Sequence, residues 1–469
     1  MHSMTTCLHN GTLVFEDHIE QADLLIAGGR ISAIGPAGAF PQADSIFDAK
    51  GCSILPGFID LHTHLDDVIG GKTLADTWRS GSQIALQNGI TTLCSFITQG
   101  DNESLSSAIA RAQKKAAGTS FCDYSWHLTP TRFDAAGWQE IEKAIGAGFS
   151  TFKFYTTYRE AGLHSTYAEL EERIGLLHSL GGRVLVHCED DAILQRARQG
   201  EMAADKDSSW PESACAAVDW RDPRSHARVR PAEAEVTAIQ RLVEIARRTG
   251  ARLHIVHVST PEGVAAIRQA ENHRITCETC PHYLFLDESW LGRPDGRRWI
   301  CAPPLRAEES RRKLAEMVRA GGADCMATDH CAFTRADKES GGGDIRRTPG
   351  GVAGIGALVP LACKLFEGND AEANLPAISR LLSAHPAQIL GLYPRKGCLQ
   401  AGADADLVVL RSGGPERSIR STLADAFETY PGMSTTLSVR ALFRRGWLIV
   451  ENGEILEQDI PGGTWLCQK

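Results

Sequence analysis

The chain has 469 residues, with 49 Lys and Arg against 58 Asp and Glu, a formal net charge of −9. That length suits a barrel of roughly 250 residues or more plus a second domain. The mildly acidic balance without a basic stripe argues against nucleic acid as a partner, and no apolar run approaches the ~18 residues that span a membrane.

Met1 to Phe15 has no basic region leading into an apolar core, so no secretory signal is expected. The 14 cysteines are scattered without framework spacing and read as reduced, mostly buried thiols of a cytoplasmic protein. Residues 1–55 predict short strands near 12–16, 22–26, 30–34 and 45–48, with Gly28-Gly29 as a hairpin turn. The far end predicts strands near 405–410, 439–444, 447–451 and 454–456, with Asn452-Gly453 as a turn. Both ends therefore predict one all-β sandwich, built from residues 1–55 and 389–469.

Between them, residues 56–388 alternate strand and helix. The apolar run from Ile54 to Leu61 closes on His62-Thr63-His64. Alternate residues of a strand share a face, so the two imidazoles point the same way, with Asp60 on the same face beneath them, placed to orient one of them as a ligand. Lys153 stands in the strand-like Ser150-Thr151-Phe152-Lys153-Phe154-Tyr155. Helical spacing follows over 165–180, with Thr166 and Glu169 as a capping box, and the next strand ends on His187. Residues 193–230 are long, polar and turn-rich, an excursion suited to contact with a neighbouring subunit. A helix over 231–250 leads into Leu253-His254-Ile255-Val256-His257. There His257 is placed on the face of Leu253 and Ile255, and His254 on the opposite, structural face. The helix at 308–319 leads to a strand over 324–328 with Asp329 at its end; His330 reads as packing or as support behind a ligand. This repetition predicts a (β/α)₈ barrel, with a doubly wound sheet as runner-up that lacks the expected glycine-rich turn.

In such a barrel all strand C-termini converge on one rim. One histidine there means little, since most are satisfied core residues. His62, His64, Lys153, His187, His257 and Asp329 together make coincidence improbable, and neutral imidazole is the commonest metal ligand. A buried ammonium beside a divalent ion is costly, so Lys153 reads as an amine that has captured CO₂ as a carbamate, against the plainer reading of an exposed edge lysine. Cys277 and Cys280 form a CxxC pair without a second pair at zinc-finger spacing, a weak metal or redox signal.

The segments Pro56-Gly57-Phe58-Ile59-Asp60-Leu61-His62-Thr63-His64, Val186-His187-Cys188-Glu189, Val256-His257-Val258-Ser259, Glu278-Thr279-Cys280-Pro281-His282-Tyr283, Cys301-Ala302-Pro303-Pro304-Leu305-Arg306 and Thr328-Asp329-His330-Cys331 together resemble the cyclic amidohydrolases, nearest to hydantoinases and dihydropyrimidinases. The likeness runs over nearly the whole chain, Gly391 to Lys396 and Gly402 to Leu407 included. It implies two divalent metal ions, zinc fitting best. His62, His64, carboxylated Lys153 and Asp329 would hold the inner ion, and the same Lys153 with His187 and His257 the outer. Such ions would share a hydroxide, Asp329 would move its proton, and Tyr158, five residues past Lys153, would hold the developing oxyanion. The substrate implied is a small cyclic amide, a hydantoin or dihydropyrimidine opened to an N-carbamoyl amino acid. The assembly implied is a homo-oligomer, tetramer or dimer.

Two substrate positions depart from the family pattern. Ala302 stands where a serine is usual, and Gly350 where Pro-Asn-Gly would place asparagine. Both positions work through backbone groups in the family, so ring binding survives the change. The run Gly350-Gly351-Val352-Ala353-Gly354 resembles allantoinases, but Leu65-Asp66-Asp67 after His64 does not. Dihydroorotases would carry an arginine soon after the histidine pair, and none is present. Loops 65–71 and 155–162 are the expected lids. A relative that keeps the fold as a non-catalytic scaffold is the rival of a different class, disfavoured because all six rim positions and Tyr158 are retained.

Overall fold

The computed structural model describes residues 4–200, 218–368, 373–456 and 461–468. Eight parallel strands follow one another in chain order: Phe58–Thr63, Ile90–Thr98, Asp123–Thr129, Thr151–Tyr155, Arg183–His187, Leu253–Ile255, Ile275–Thr279 and Cys325–Met326. A parallel bridge between Thr63 and His330 brings the last strand end back to the first, and the His64 N–H donates to the His330 carbonyl at 2.7 Å. The expected α/β barrel is thus present.

The helices obey the spacing that predicts them. Tyr167–Ser179 buries Leu170, Ile174 and Leu177 and starts from a Thr166/Glu169 capping box. Ala232–Thr249 buries Ala238, Ile239, Leu242 and Ala246 and stops at Gly250, whose φ of 68° suits glycine. The predicted excursion over 193–230 contains the helices Asp191–Gln199 and Arg224–Arg228 at its edges; its centre, 201–217, lies outside the described residues. No helix among the described residues is long and apolar enough to cross a membrane.

The run ending on the histidine pair is two strands rather than one. Ser53–Pro56 pairs with Leu407–Arg411 and with Thr12–Val14 in a seven-stranded sheet, whereas Phe58–Thr63 opens the barrel. Gly57 makes the joint, because a Cβ there would lie 2.4 Å from Thr91 Oγ1. A four-stranded sheet (Arg30–Gly35, Asp23–Ala27, Thr5–His9, Ser45–Asp48) completes the pair of sheets. Leu8, Leu24, Ile26, Ile54, Leu407, Val409 and Phe443 fill their shared core, so both chain ends build the expected β structure. The tail then returns to the barrel: the Tyr124 N–H donates to Thr464, and the Leu466 N–H donates to Tyr124.

Buried charge joins barrel to sandwich. Lys396 Nζ lies 2.7 Å from Asp123 of the third barrel strand, 2.5 Å from Asp406 and 3.2 Å from Asp404. Burial pushes the Asp123 carboxyl up, but Lys396 and Arg445 outweigh it and hold it at about 2. Its pairing therefore stabilises the fold above about pH 4 and is lost as pH falls through about 2. Lys396→Met would leave buried carboxylates uncompensated, and we expect a loss of about 3–5 kcal/mol at neutral pH in denaturant unfolding. An unchanged midpoint would show the network to be dispensable.

Candidate active site

The strand pleat decides which side chains meet at the rim. In Thr151–Tyr155, Phe152 and Phe154 join the apolar core with Ile174 and Leu177, and Val184 and Val186 of the next strand do the same. The alternate residues Lys153 and His187 are thereby turned the other way, to the barrel interior. His62 is the penultimate residue of the first strand, and His64 follows its end, their ring centroids 5.5 Å apart. Asp329 Oδ1 lies 3.1 Å from His62 Nε2 and 3.5 Å from His64 Nε2. His187 Nδ1 and His257 Nε2 are 3.0 Å apart. The Tyr158 ring centroid lies 5.0 Å from that of His187.

Three of these residues break the backbone pattern. Tyr158, His257 and Asp329 have φ of 68°, 39° and 46°. For residues with a side chain this left-handed region is disfavoured, and such strain concentrates at functional sites. It also corrects the expected faces on the sixth strand. His254, read as the structural residue of the opposite face, is the inward one: its Nε2 lies 3.1 Å from Glu278 Oε2, while Leu253 and Ile255 belong to the outer core. His257 lies beyond the strand end, and its φ carries it off the alternation that would have kept it with Leu253.

Asp60 stands below the site, as its strand face implies, but it holds backbone and hydroxyl rather than an imidazole. It accepts from the Thr328 N–H at 3.1 Å and the Thr328 hydroxyl at 2.6 Å, next to Asp329. The imidazole of His62 is held by Glu278, which meets its Nδ1. That contact leaves His62 Nε2 as the ring's free ligand atom. Glu189 does the same for His187, 2.7 Å from its Nε2, and is itself paired with Arg230, whose guanidinium lies 5.4 Å from the Tyr158 ring centroid. Glu278, Glu189 and Arg230 carry no sequence-based assignment. His330 is structural as expected: its Nδ1 accepts from the Gly354 N–H at 3.0 Å.

The electrostatics favour a cation. Burial pushes His62 down, but Glu278 and Asp329 outweigh it and raise the ring to about 9. Burial likewise opposes ionisation of Asp329, yet His62 and His64 hold it well below the usual carboxylate range. Lys153 is 2 % exposed, and burial lowers it to about 8. Among the described residues no carboxylate makes a close ion pair with it, although Glu278 and Asp329 act on it from a distance; the rings of Tyr155 and Phe96 lie 5.1 and 5.4 Å from its Nζ. The ligand atoms of His62, His257 and Asp329 all lie within 4.8 Å of one another, and His257 Nδ1 is buried without a hydrogen-bond partner. This donor set fits a divalent ion of the nitrogen- and oxygen-loving kind. The Cys277/Cys280 pair does not add to it: Cys277 faces Arg268 and Asp324 instead.

The two segments expected to grip a ring lie side by side. The Gly351 N–H donates to the Ile300 carbonyl at 2.9 Å, which sets Gly350 against the 300–302 loop that carries Ala302. Lys153 and Tyr155 also border a cleft of about 180 Å³ lined by Thr131, Phe133, Leu163 and His164, between the expected 155–162 lid and the third strand end.

Comparison with known proteins gives the family and the fold. The profile of the Amidohydrolase family matches residues 53–448. The D-hydantoinase of Streptomyces coelicolor is 30 % identical over 469 aligned residues, covering 96 % of each chain. The D-phenylhydantoinase of Escherichia coli is 33 % identical, covering 87 % of this chain and 86 % of the other. The crystal structure of dihydropyrimidinase from Brevibacillus agri superposes with a TM-score of 0.87 at 29 % identity, over 99 % of each chain.

Proposed function

The chain belongs to the amidohydrolase family, and we propose that it hydrolyses an amide bond of a small ring, opening a hydantoin or 5,6-dihydropyrimidine to an N-carbamoyl amino acid. One observation carries the reading: three ligand atoms from strand ends far apart in sequence gather within 4.8 Å, beside a buried lysine that makes no close ion pair among the described residues and feels Glu278 and Asp329 only from a distance. Relatives named hydantoinase and dihydropyrimidinase over almost the whole chain support the substrate class.

In this reading His62, His64 and Asp329 would hold one divalent ion, His187 and His257 would hold the other, and carboxylated Lys153 would serve as a ligand to both. Zinc suits these donors. When bound, such a pair polarises the amide carbonyl and ionises water near neutral pH. The rest of the chemistry belongs to the chain. Asp329 takes the proton of the attacking water and returns it to the leaving ring nitrogen as the C–N bond breaks. Burial pushes the Tyr158 hydroxyl up, so it stays a phenol at neutral pH and donates a hydrogen bond to the carbonyl oxygen as negative charge builds there. Backbone groups around Ala302 and Gly350 hold the imide edge. Cytoplasmic location and assembly as a dimer or tetramer complete the proposal; light scattering on the purified protein checks the latter.

A turnover panel of dihydrouracil, hydantoin, 5-aryl hydantoins, allantoin and dihydroorotate on the metal-loaded protein tests the function. We expect turnover of hydantoins or dihydrouracil that a chelator abolishes and divalent metal restores. Turnover of allantoin alone would move the chain to that subgroup, as its Gly350-Gly351 run suggests. No bound metal and no ring opening would favour the scaffold reading.

A further inference from the structure

We propose that Lys338 is a positioning residue for the substrate ring: its ammonium clamps together the 300–302 and 349–351 segments and so sets the spacing of the backbone groups that grip the imide. The inference rests on the functional reading above, since it assumes that these two segments meet the ring.

Lys338 lies in the short helix Arg335–Glu339 and is 3 % exposed. Its Nζ donates to the Ile300 carbonyl and to the Pro349 carbonyl, each at 2.9 Å. Among the described residues no carboxylate pairs with it; beyond those two oxygens it has the Phe333 ring, 5.9 Å from Nζ to centroid. An unpaired buried ammonium is expensive to desolvate, and a fold that needed only apolar filling would place a methionine or leucine there. The two carbonyls say what the charge is for. A peptide unit is planar and trans, so its C=O and N–H point in opposite directions. With the Ile300 and Pro349 oxygens turned onto Lys338, the N–H groups of Cys301 and Gly350 are turned away from it. Neither N–H has an acceptor among the described residues. Ile300 also accepts from the Gly351 N–H, whereas Lys338 is the one described donor to Pro349. Lys338 therefore holds the Pro349 end of the segment carrying Gly350, beside the direct bond between Gly351 and Ile300. An ideal Cβ on Gly350 would lie 4.0 Å from Cys301 Cα, so the two strips of backbone lie about one side-chain atom apart, and a small shift at Pro349 changes their separation directly.

The test compares wild type and Lys338→Met as full-length, metal-loaded protein, reading kcat, KM, metal content and Tm on whichever ring the wild type turns over. Lys338 touches none of the proposed metal ligands, so metal content should stay at the wild-type level. Losing hydrogen bonds from a charged donor should raise KM about tenfold to a hundredfold, with kcat changed by less than about threefold, the pattern of lost uniform binding. Lys338→Gln, which keeps one neutral donor, should fall between. An unchanged KM in a folded, metal-replete Lys338→Met overturns the proposal, and so does a fall in kcat with KM held. If the methionine variant does not fold, the glutamine variant decides by the same split. Failure of both to fold would assign Lys338 to stability alone and overturn the proposal too. A wild type inactive on every ring would sink the functional reading, and this inference with it; an active wild type with an indifferent Lys338 sinks the inference alone.

Discussion

Lys153→Ala should lower kcat/KM by about 10³- to 10⁴-fold, the scale of several kcal/mol of transition-state charge stabilisation, and should leave at most one metal ion per chain. Lys153 is buried, with no described carboxylate partner and with aromatic rings for neighbours. Burial depresses it to about 8, so a substantial fraction is the neutral amine near physiological pH. That amine can attack CO₂: the N–C bond forms, a proton leaves, and the neutral amine becomes an anion with two oxygens. An alanine removes both oxygens at once. A short carboxylic acid such as acetate or propionate, diffusing into the vacated space, should restore part of the activity and part of the second metal. The sign of the pH dependence follows from the same depression. Only the neutral amine reacts, so metal-stripped wild type given bicarbonate and zinc should regain activity faster above about pH 8 than at about pH 6, where nearly all of the group is ammonium. Full activity and full metal content in Lys153→Ala would remove the lysine from the site.

How much of this was legible in sequence depends on which physical rule governs each residue. His62, Lys153 and His187 obey strand alternation, and strand alternation is visible in a string of letters. The helices over 167–179 and 232–249 are likewise visible as spacing with a cap or a glycine stop. His257 is not governed by alternation, because a positive φ places it, and no local pattern announces a left-handed residue other than glycine or asparagine. That is why His257 meets the site although Leu253 and Ile255 belong to the outer core, while His254 is the residue that alternation turns inward. The joint at Gly57 was hidden for a related reason: Ile54 to Leu61 is one apolar run, and only the side chain of Thr91 against the backbone shows where it turns. Glu278 was within reach. It is a lone charge in an apolar strand, the same signal that marks Lys153, but the flanking cysteines offered a louder and empty motif. Glu189 and Arg230 lay out of reach as a pair, since their meeting depends on how the 218–230 segment folds back over the rim.

Asp329→Asn should cut kcat by about 10²- to 10⁴-fold, the range for removing a general base, while KM stays near the wild-type value. The substitution isolates the proton-transfer role because it keeps nearly everything else. Asparagine has the same shape as aspartate and is among the few residues that accept the left-handed conformation, so the φ of 46° at this position remains available. The Thr328 contacts to Asp60 that fix the preceding residue are untouched. What goes is the negative charge facing His62 and His64 at 3.1 and 3.5 Å and the oxygen able to carry a proton between water and leaving nitrogen. An amide carbonyl can still face a metal ion, so metal content should fall less than activity. Asp329→Ala gives the contrast: it removes the donor oxygen altogether and places a residue with poor tolerance for positive φ there, so metal and stability should fall with activity. If Asn and Ala lose activity only in proportion to lost metal, Asp329 is a ligand and nothing more, and the proton must travel by another group. If Asn keeps its metal and loses its rate, the carboxylate is the shuttle, and a substrate with a more acidic leaving nitrogen, which needs less protonation as the bond breaks, should lose least.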